Sequence, residues 1–210
     1  MLVVRDVQPE RTKAFLELMA GRRGHFRLES GHHGRLWLDL DPLFAQPSRI
    51  APWVASLATA LRPYTVAAVC GPLLGGAFLA QLVAHALGAE FCFTERVLPS
   101  ESSDGLYRAR YRLPPAFATR LRGQRIAMVD DVMSAGSALR GTYAELQTHG
   151  ATPVVAGALL VLGSAGMEYF AERGVAVEAA ARDDYDLWAP SDCPLCAAGV
   201  PVEDVAAPNP

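Results

Sequence analysis

Lysine is nearly absent from this sequence. Of its 19 basic residues, 18 are arginine, and Lys13 is the only lysine. This scarcity excludes a nucleotide-binding loop of the Gly-Lys-Ser/Thr type, and it excludes the protein-kinase and Schiff-base chemistries that depend on a placed lysine. Lys13 lies in a polar stretch, residues 9–13, where a solvated helix face is the expected role.

Cysteine, basic charge and long apolar runs are also scarce. Four cysteines in 210 residues do not make a disulfide scaffold, so a reducing compartment is expected. The net charge of −3 leaves no basic field to hold nucleic acid or an anionic membrane. No apolar run reaches the roughly 18 residues of a membrane helix, and residues 1–11 lack the apolar core of a signal peptide. These absences predict a soluble, cytoplasmic protein.

Strands and helices alternate through most of the chain. The apolar pattern predicts strands at 66–70, 90–95, 125–129, 152–162 and 175–181, and helices at 77–87, 137–148 and 165–173. This spacing predicts an α/β fold with right-handed βαβ units and a mostly parallel, twisted sheet flanked by helices. Ligands of such sheets bind at the carboxyl ends of the strands.

The first residues fall outside this alternation. Residues 1–45 are predicted to form a small cap made of one helix, at 10–19, and a hairpin, with strands at 25–29 and 35–39. The α/β core is then expected at 46–190, and a tail at 191–210.

Residues 125–137 carry the clearest chemistry. An apolar strand delivers two adjacent carboxylates, Asp130 and Asp131, to its carboxyl end, and a turn of small residues then begins a helix. The free backbone N–H groups of that turn, with the hydroxyls of Ser134 and Ser137, form a site suited to a phosphate monoester. The carboxylates would accept hydrogen bonds from ribose hydroxyls, directly or through Mg²⁺. The simpler alternative is a solvated Asp-Asp turn before an ordinary helix, and the flanking pattern argues against it.

This segment resembles the 5-phosphoribosyl 1-pyrophosphate (PRPP) signature of the type I phosphoribosyltransferases. The matching sequence is IAMVDDVMSAGS at 126–137. The resemblance implies that fold, catalytic roles for Asp130 and Asp131, and Mg²⁺ bound there through PRPP. It implies that PRPP is bound by Val129, Asp130, Asp131, Val132, Met133, Ser134, Ala135, Gly136 and Ser137.

Further segments resemble the orotate branch of that family. HFRLESG at 25–31 with LWLD at 36–39 is similar to its amino-terminal hood, and CGPLLGG at 70–76 is similar to its pyrophosphate loop. The resemblance implies transfer of a phosphoribosyl group from PRPP to orotate, which gives orotidine 5′-phosphate and pyrophosphate, by a homodimer that uses Mg²⁺. It implies a pyrophosphate loop formed by Gly71, Pro72, Leu73, Leu74, Gly75 and Gly76. Trp37, Leu38 and Ser134 are the base-binding candidates.

The scarcity of lysine bears on this family directly. The orotate branch typically has lysines in its hood, its pyrophosphate loop and a mobile loop, where this sequence has Glu29, Gly75 and the lysine-free stretch 96–112. We expect Arg96 to take part in catalysis by supplying the missing positive charge. Further candidates for that charge are Arg108, Arg110 and Arg112, which share one face of an extended segment. Their alternative role is to line an exposed hairpin.

One position concerns the acceptor. Leu162 follows the signature helix and stands where the orotate branch carries an arginine that binds the orotate carboxylate. Two other interpretations therefore stay open: a phosphoribosyltransferase for a purine or another base, and a non-catalytic sensor of PRPP or a nucleotide.

Cys193 and Cys196 have the spacing of half a zinc site. The missing ligands would come from His85, from His149 or from a second chain, and a reduced surface pair is the alternative. The remaining histidines are given other roles: half-buried packing for His25 and a solvated turn for His32 and His33.

Overall fold

The structure, a computed structural model, describes residues 9–97, 106–107 and 109–205. Its helices are α1 (Pro9–Leu16), α2 (Pro47–Leu61), α3 (Gly75–Leu87), α4 (Pro115–Leu121), α5 (Ser137–Thr148), α6 (Ala165–Ala171) and α7 (Pro194–Ala197). Its strands are β1 (Ala20–Arg27), β2 (His33–Asp39), β3 (Ala68–Pro72), β4 (Glu90–Val97), β5 (Arg110–Arg112), β6 (Arg125–Met133), β7 (Thr152–Leu162), β8 (Ala176–Asp183) and β9 (Glu203–Asp204). Arg108 lies outside the described residues.

A six-stranded sheet forms the centre of the molecule, with its strands in the order β5-β4-β3-β6-β7-β8. Five of these strands run parallel, and the edge strand β5 pairs antiparallel with β4. The predicted α/β fold with a mostly parallel sheet is thereby confirmed. After β3 the next strand, β4, is added towards one edge of the sheet. After β6 the strands β7 and β8 are added towards the other edge. Between β3 and β6 this leaves a crevice at the carboxyl ends of the strands, where ligands bind in α/β proteins.

The side chains of β6 show why helices cover both faces of this sheet. Ile126 and Met128 pack on one face with residues of α5, and Ala127 and Val129 pack on the other with residues of α2 and α3. All four side chains are fully buried. Because successive residues of a strand point to opposite faces, a continuous apolar run needs a layer of helices on each side.

A second sheet joins the two ends of the described chain. β1 and β2 form an antiparallel hairpin, here called the hood hairpin, and β9 pairs parallel with β1 on its other edge. The predicted hairpin is present, but β1 begins at Ala20 and not at residue 25. Its first half contains Gly21 and Gly24 and has no apolar alternation, so it is a strand because residues 20–23 pair with β2. β9 has two residues, too few to show a pattern.

Two more elements differ from the prediction. The first helix ends at Leu16 and not at residue 19, and α4 follows the edge strand β5 where no helix was predicted. No helix in the part of the chain that the structure describes is long and apolar enough to cross a membrane.

Candidate functional site

The paired carboxylates lie at the carboxyl end of β6, beside the crevice between β3 and β6. This crevice is the switch point of the sheet, where the strand order changes direction. β6 continues to Met133, so Asp130 and Asp131 belong to the strand and not to the turn after it. Oδ1 of Asp130 accepts a hydrogen bond from the backbone N–H of Asp131 at 3.0 Å, and Oδ1 of Asp131 accepts one from the N–H of Val132 at 2.7 Å. These bonds and the pairing with β7 fix both carboxylates on rigid backbone.

The turn after β6 leads directly into α5. Gly136, the residue before the helix, has a φ of +75°, which side chains other than glycine rarely adopt. No side chain caps the helix. Its first N–H groups carry the partial positive charge of a helix start and suit a phosphate.

The loop of residues 71–76 packs against these carboxylates from the neighbouring strand β3. A Cβ atom on Gly75 would overlap Oδ2 of Asp131, and one on Gly76 would fall 2.7 Å from Oδ1 of Asp130. The start of α3 therefore meets the carboxylates without any side chain between them. Leu73 and Leu74, at the tip of the loop, are exposed. The sequence shows Gly75 only as a missing lysine, whereas the structure shows that a side chain there would collide with the carboxylate of Asp131.

A cavity of about 340 Å³ lies between the hood hairpin and the carboxyl ends of β6 and β7. It has the size of a small-molecule site. It brings together predicted residues from two parts of the sequence, namely Trp37, Leu38, Asp130, Val132, Ser134, Gly136 and Ser137. Leu162 and Glu29, which the sequence showed only in place of an arginine and a lysine, also line it, as do Ser30 and Tyr185, which the sequence did not indicate as site residues.

The electrostatics of this cavity are unfavourable to the carboxylates. The pKa of Asp130 is raised well above its ordinary value, because burial, the neighbouring Asp131 and Glu29 all oppose its negative charge. Asp130 and Asp131 offer adjacent carboxylate oxygens, which are ligands of the kind that Mg²⁺ prefers. The residues present therefore fit a magnesium ion that completes its shell with oxygens of a bound substrate.

Glu29 links the hood to β4 and β5. Its Oε2 lies 3.6 Å from Nη1 of Arg96, and its Oε1 accepts a hydrogen bond of 3.1 Å from the hydroxyl of Tyr111. Burial, together with the charges of Glu29 and Asp130, raises the pKa of Tyr111 above its ordinary value. Arg96 is thus held at the hood by an acid. The alternation of Arg110, Tyr111 and Arg112 was the available signal for Tyr111, because the middle side chain must point away from the other two.

The other arginine candidates lie away from this cluster. Arg110 and Arg112 are exposed on the edge strand β5, and Nη2 of Arg112 lies 3.3 Å from Glu95. Sequence reasoning missed Arg140, whose guanidinium lies over the rings of Tyr107 and Tyr169 at 4.0 and 4.1 Å. It lines a neighbouring cavity of about 540 Å³ and not the one above the carboxylates.

The neighbours of the cysteine pair in the tail differ from the ligands that were predicted for it. Cys193 and Cys196 lie against His25 and His33 of the hood hairpin. His33 is a buried residue of β2, so its assignment to a solvated turn is wrong. His85 and His149 do not belong to this cluster. The sequence did not indicate this cluster because the pairing of β1 with β2 brings together two histidines that are separated by seven residues in the sequence.

Comparison with known proteins finds relatives that share one name and match most of the chain. No protein-family model matches it. It is 30% identical to the orotate phosphoribosyltransferase of Thermotoga maritima over 194 residues, which are 92% of each chain. It is 33% identical to that of Carboxydothermus hydrogenoformans over 192 residues, which cover 90% of this chain and 93% of the relative.

Solved structures show the same architecture. The crystal structure of orotate phosphoribosyltransferase from Aeropyrum pernix has a TM-score of 0.61 at 25% identity and covers 81% of this chain and 93% of that one. Adenine phosphoribosyltransferase from Thermoanaerobacter pseudethanolicus has a TM-score of 0.63 at 17% identity, covering 84% of this chain and 100% of that one. The second likeness supports the fold alone.

Proposed function

This chain belongs to the orotate phosphoribosyltransferase family, and we propose that it transfers the phosphoribosyl group of PRPP to orotate, giving orotidine 5′-phosphate and pyrophosphate. The observation that carries this proposal is the position of Asp130 and Asp131. They lie between the phosphate-binding turn before α5 and the loop of residues 71–76, at the switch point of the sheet. That is the arrangement a sugar with a phosphate at one end and a pyrophosphate at the other requires.

PRPP binding is assigned to three neighbouring segments. The 5′-phosphate meets the turn 134–137 and the first N–H groups of α5, and the ribose hydroxyls meet Asp130 and Asp131. The pyrophosphate meets the backbone of 71–76, where glycines leave room for it. Mg²⁺ held at Asp130 and Asp131 would offset the negative charge of the pyrophosphate.

The protein's own groups then stabilise the charges that develop. Breaking the bond between ribose C1 and pyrophosphate builds positive charge on the sugar and negative charge on the leaving group. Asp130 and Asp131 lie on the sugar side and favour the positive charge. Arg96 supplies a fixed positive charge for the leaving group, but a guanidinium is a poor proton donor. Arginine therefore replaces the electrostatic part of a lysine's role and not its acidity.

The base is placed in the cavity between the hood hairpin and Ser134. Trp37 and Leu38 supply apolar contacts, and Ser134 supplies a hydroxyl. We also propose a homodimer, which the resemblance implies, and a cytoplasmic location, which the composition predicts.

A specific observation favours a second candidate, transfer to a neutral base such as a purine. Among the described residues that line the cavity none is basic, and two are the acids Glu29 and Asp130. Leu162 is 4% exposed and offers no charge to a carboxylate. Orotate carries a carboxylate, whereas adenine, hypoxanthine and guanine do not.

One assay separates these functions. The protein is mixed with PRPP, Mg²⁺ and one base at a time (orotate, adenine, hypoxanthine, guanine or xanthine), and release of pyrophosphate is followed. Release with orotate alone supports the proposal, and release with a purine alone replaces it with the second candidate. Binding of PRPP without release for any base would contradict an enzymatic function and favour a sensor.

A further inference from the structure

We propose that His25, His33, Cys193 and Cys196 bind a structural Zn²⁺ ion that fastens the tail to the hood hairpin. The proposal is independent of the reaction proposed above, because none of these residues lines the cavity over the carboxylates.

The spacing of the four ligand atoms fits a tetrahedral ion. Sγ of Cys193 lies 3.4 Å from Nε2 of His25, and Sγ of Cys196 lies 3.7 Å from the same atom and 3.2 Å from Nδ1 of His33. The two nitrogens are 2.9 Å apart, and all four atoms lie within 4.8 Å of one another. With Zn–N of about 2.0–2.1 Å and Zn–S of about 2.3 Å, tetrahedral ligands are roughly 3.3–3.8 Å apart. The four atoms need only small shifts to surround one ion.

Local structure explains why both imidazoles point to one place. Arg27 pairs with His33 across the hairpin, and the register of β1 is irregular just before it, between Arg23 and Phe26, where the chain turns the ring of His25 towards His33. Their rings meet edge to face with centroids 4.8 Å apart. Cys193 and Cys196 come from the start of α7, one turn apart.

A hydrogen bond fixes which nitrogen of His25 is available. Nδ1 of His25 donates to the carbonyl oxygen of Val200 at 2.8 Å, because a carbonyl can only accept. In the neutral ring Nε2 then keeps its lone pair, and Nε2 is the atom that faces both sulfurs. A backbone carbonyl that accepts a hydrogen bond from a metal-binding histidine and so orients its ring is typical of zinc sites.

Burial and donor type favour zinc over other ions. His25, His33 and Cys193 are 4%, 6% and 3% exposed, so three of the four ligand residues are shielded from solvent. Two thiolates and two imidazoles suit zinc and do not suit Mg²⁺. Four protein ligands also leave no open position, as in structural and not catalytic zinc sites.

The rest of the tail is already docked in the required place. Glu203 forms a 2.7 Å ion pair with Arg22, and β9 pairs with β1. Val205, immediately after β9, lines the cavity over the carboxylates. Zinc would therefore brace one wall of the base cavity without touching the base.

The first test measures the metal in the purified full chain, prepared without a histidine tag or chelators. We expect about one zinc per chain by mass spectrometry, retained in excess Mg²⁺, and about none in the double variant Cys193→Ser/Cys196→Ser. The matched control His85→Asn removes an exposed histidine outside the cluster and should keep its zinc. Zinc at the same level in the double variant and in the wild type would overturn the proposal.

A second test uses only the wild-type chain, because a ligand variant could lose its fold together with its zinc. Zinc is removed with a strong chelator, and Co²⁺ is added as a probe. The expected result is the visible spectrum of tetrahedral Co²⁺ with thiolate charge transfer, lost on adding one equivalent of Zn²⁺. A spectrum without thiolate bands, or one that Mg²⁺ abolishes, would show that the cysteines do not bind the ion.

Discussion

The carboxylate pair at the end of β6 and the histidine–cysteine cluster of the hood differ in how much of a metal ion's coordination shell they supply. Asp130 and Asp131 present oxygen atoms from one strand and leave most of a metal's coordination shell to other molecules. The hood cluster presents four nitrogen and sulfur atoms from three elements around one point. An incomplete oxygen site suits an ion that arrives and leaves with its substrate, whereas a complete site suits a permanent ion.

The two clusters also differ in how protonation affects them. The raised pKa of Asp130 means that a proton competes with a cation for this carboxylate. At His33, burial and the neighbouring His25 and Arg27 lower the pKa, so the ring is held in the neutral form that binds metals. Acidification should therefore weaken ion binding at both clusters, through protonation of Asp130 in one and of His33 in the other.

The substitution Asp130→Asn should have the largest effect on the reaction. It keeps the side-chain shape and removes one ligand charge, so we expect kcat/KM to fall on the order of 10²–10³-fold. The melting temperature should stay level or rise, because the substitution removes repulsion with Asp131 and Glu29. Steady-state kinetics and thermal melts test both parts. As a control, Glu172→Gln removes an exposed acid of an ion pair with Arg173 and should change neither value.

The substitution Gly75→Ala should have the next largest effect. Its Cβ would overlap Asp131 and push the loop of residues 71–76 from the carboxylates, and a displacement of about 1 Å can lower a rate on the order of 10²-fold. The control is Gly174→Ala, whose Cβ would meet nothing within 4 Å but whose φ is +67°. That variant should lose about 1 kcal/mol of stability and keep its activity. Equal activity of the two variants would show that the close contact between this loop and the carboxylates is not needed for the reaction.

The substitutions Arg96→Ala and Arg112→Ala compare an arginine near the cavity with one away from it. Arg96 faces Glu29 beside the cavity, and its loss should lower kcat about 10-fold through lost charge stabilisation. Arg112 pairs with Glu95 on the exposed edge strand, and its loss should change kcat less than about 2-fold. The same loss of kcat in both variants would show that overall charge matters and not the position of Arg96.

The contrast between the regions also shows what the sequence could predict. The carboxylate site depends on one continuous segment, so the strand, the Asp pair, the turn and α5, which begins at Ser137 as expected, could all be predicted from local pattern. The roles of Gly75 and Glu29 could not. They depend on contacts with Asp131 and Arg96, which come from other strands, and such contacts have no signature in a single sequence.

The hood cluster was more difficult to predict from the sequence than the carboxylate site. The spacing of Cys193 and Cys196 indicated half a site, but the other half depends on where the tail packs. That packing depends on the two residues of β9, and the meeting of His25 with His33 depends on an irregularity in the pairing of β1 with β2 between Arg23 and Phe26. Both features depend on long-range pairing, which local periodicity does not encode.

The smallest expected effect concerns pH. The pKa of Asp130 is raised in the folded protein, so between its unfolded and folded values the folded state binds more protons. The contribution of this group to stability is therefore present below the unfolded pKa and is lost as the pH rises through the folded pKa. PRPP with Mg²⁺ neutralises the carboxylate, so it should raise the melting temperature more at a pH above the folded pKa of Asp130 than at a pH below it. For a chain of this size each kcal/mol corresponds to about 2–4 °C. In Asp130→Asn this pH dependence should disappear, whereas removal of zinc should leave it unchanged, because the two clusters share no ligand. An equal ligand-induced shift at both pH values in the wild type would mean that Asp130 is not where the proton and the cation compete.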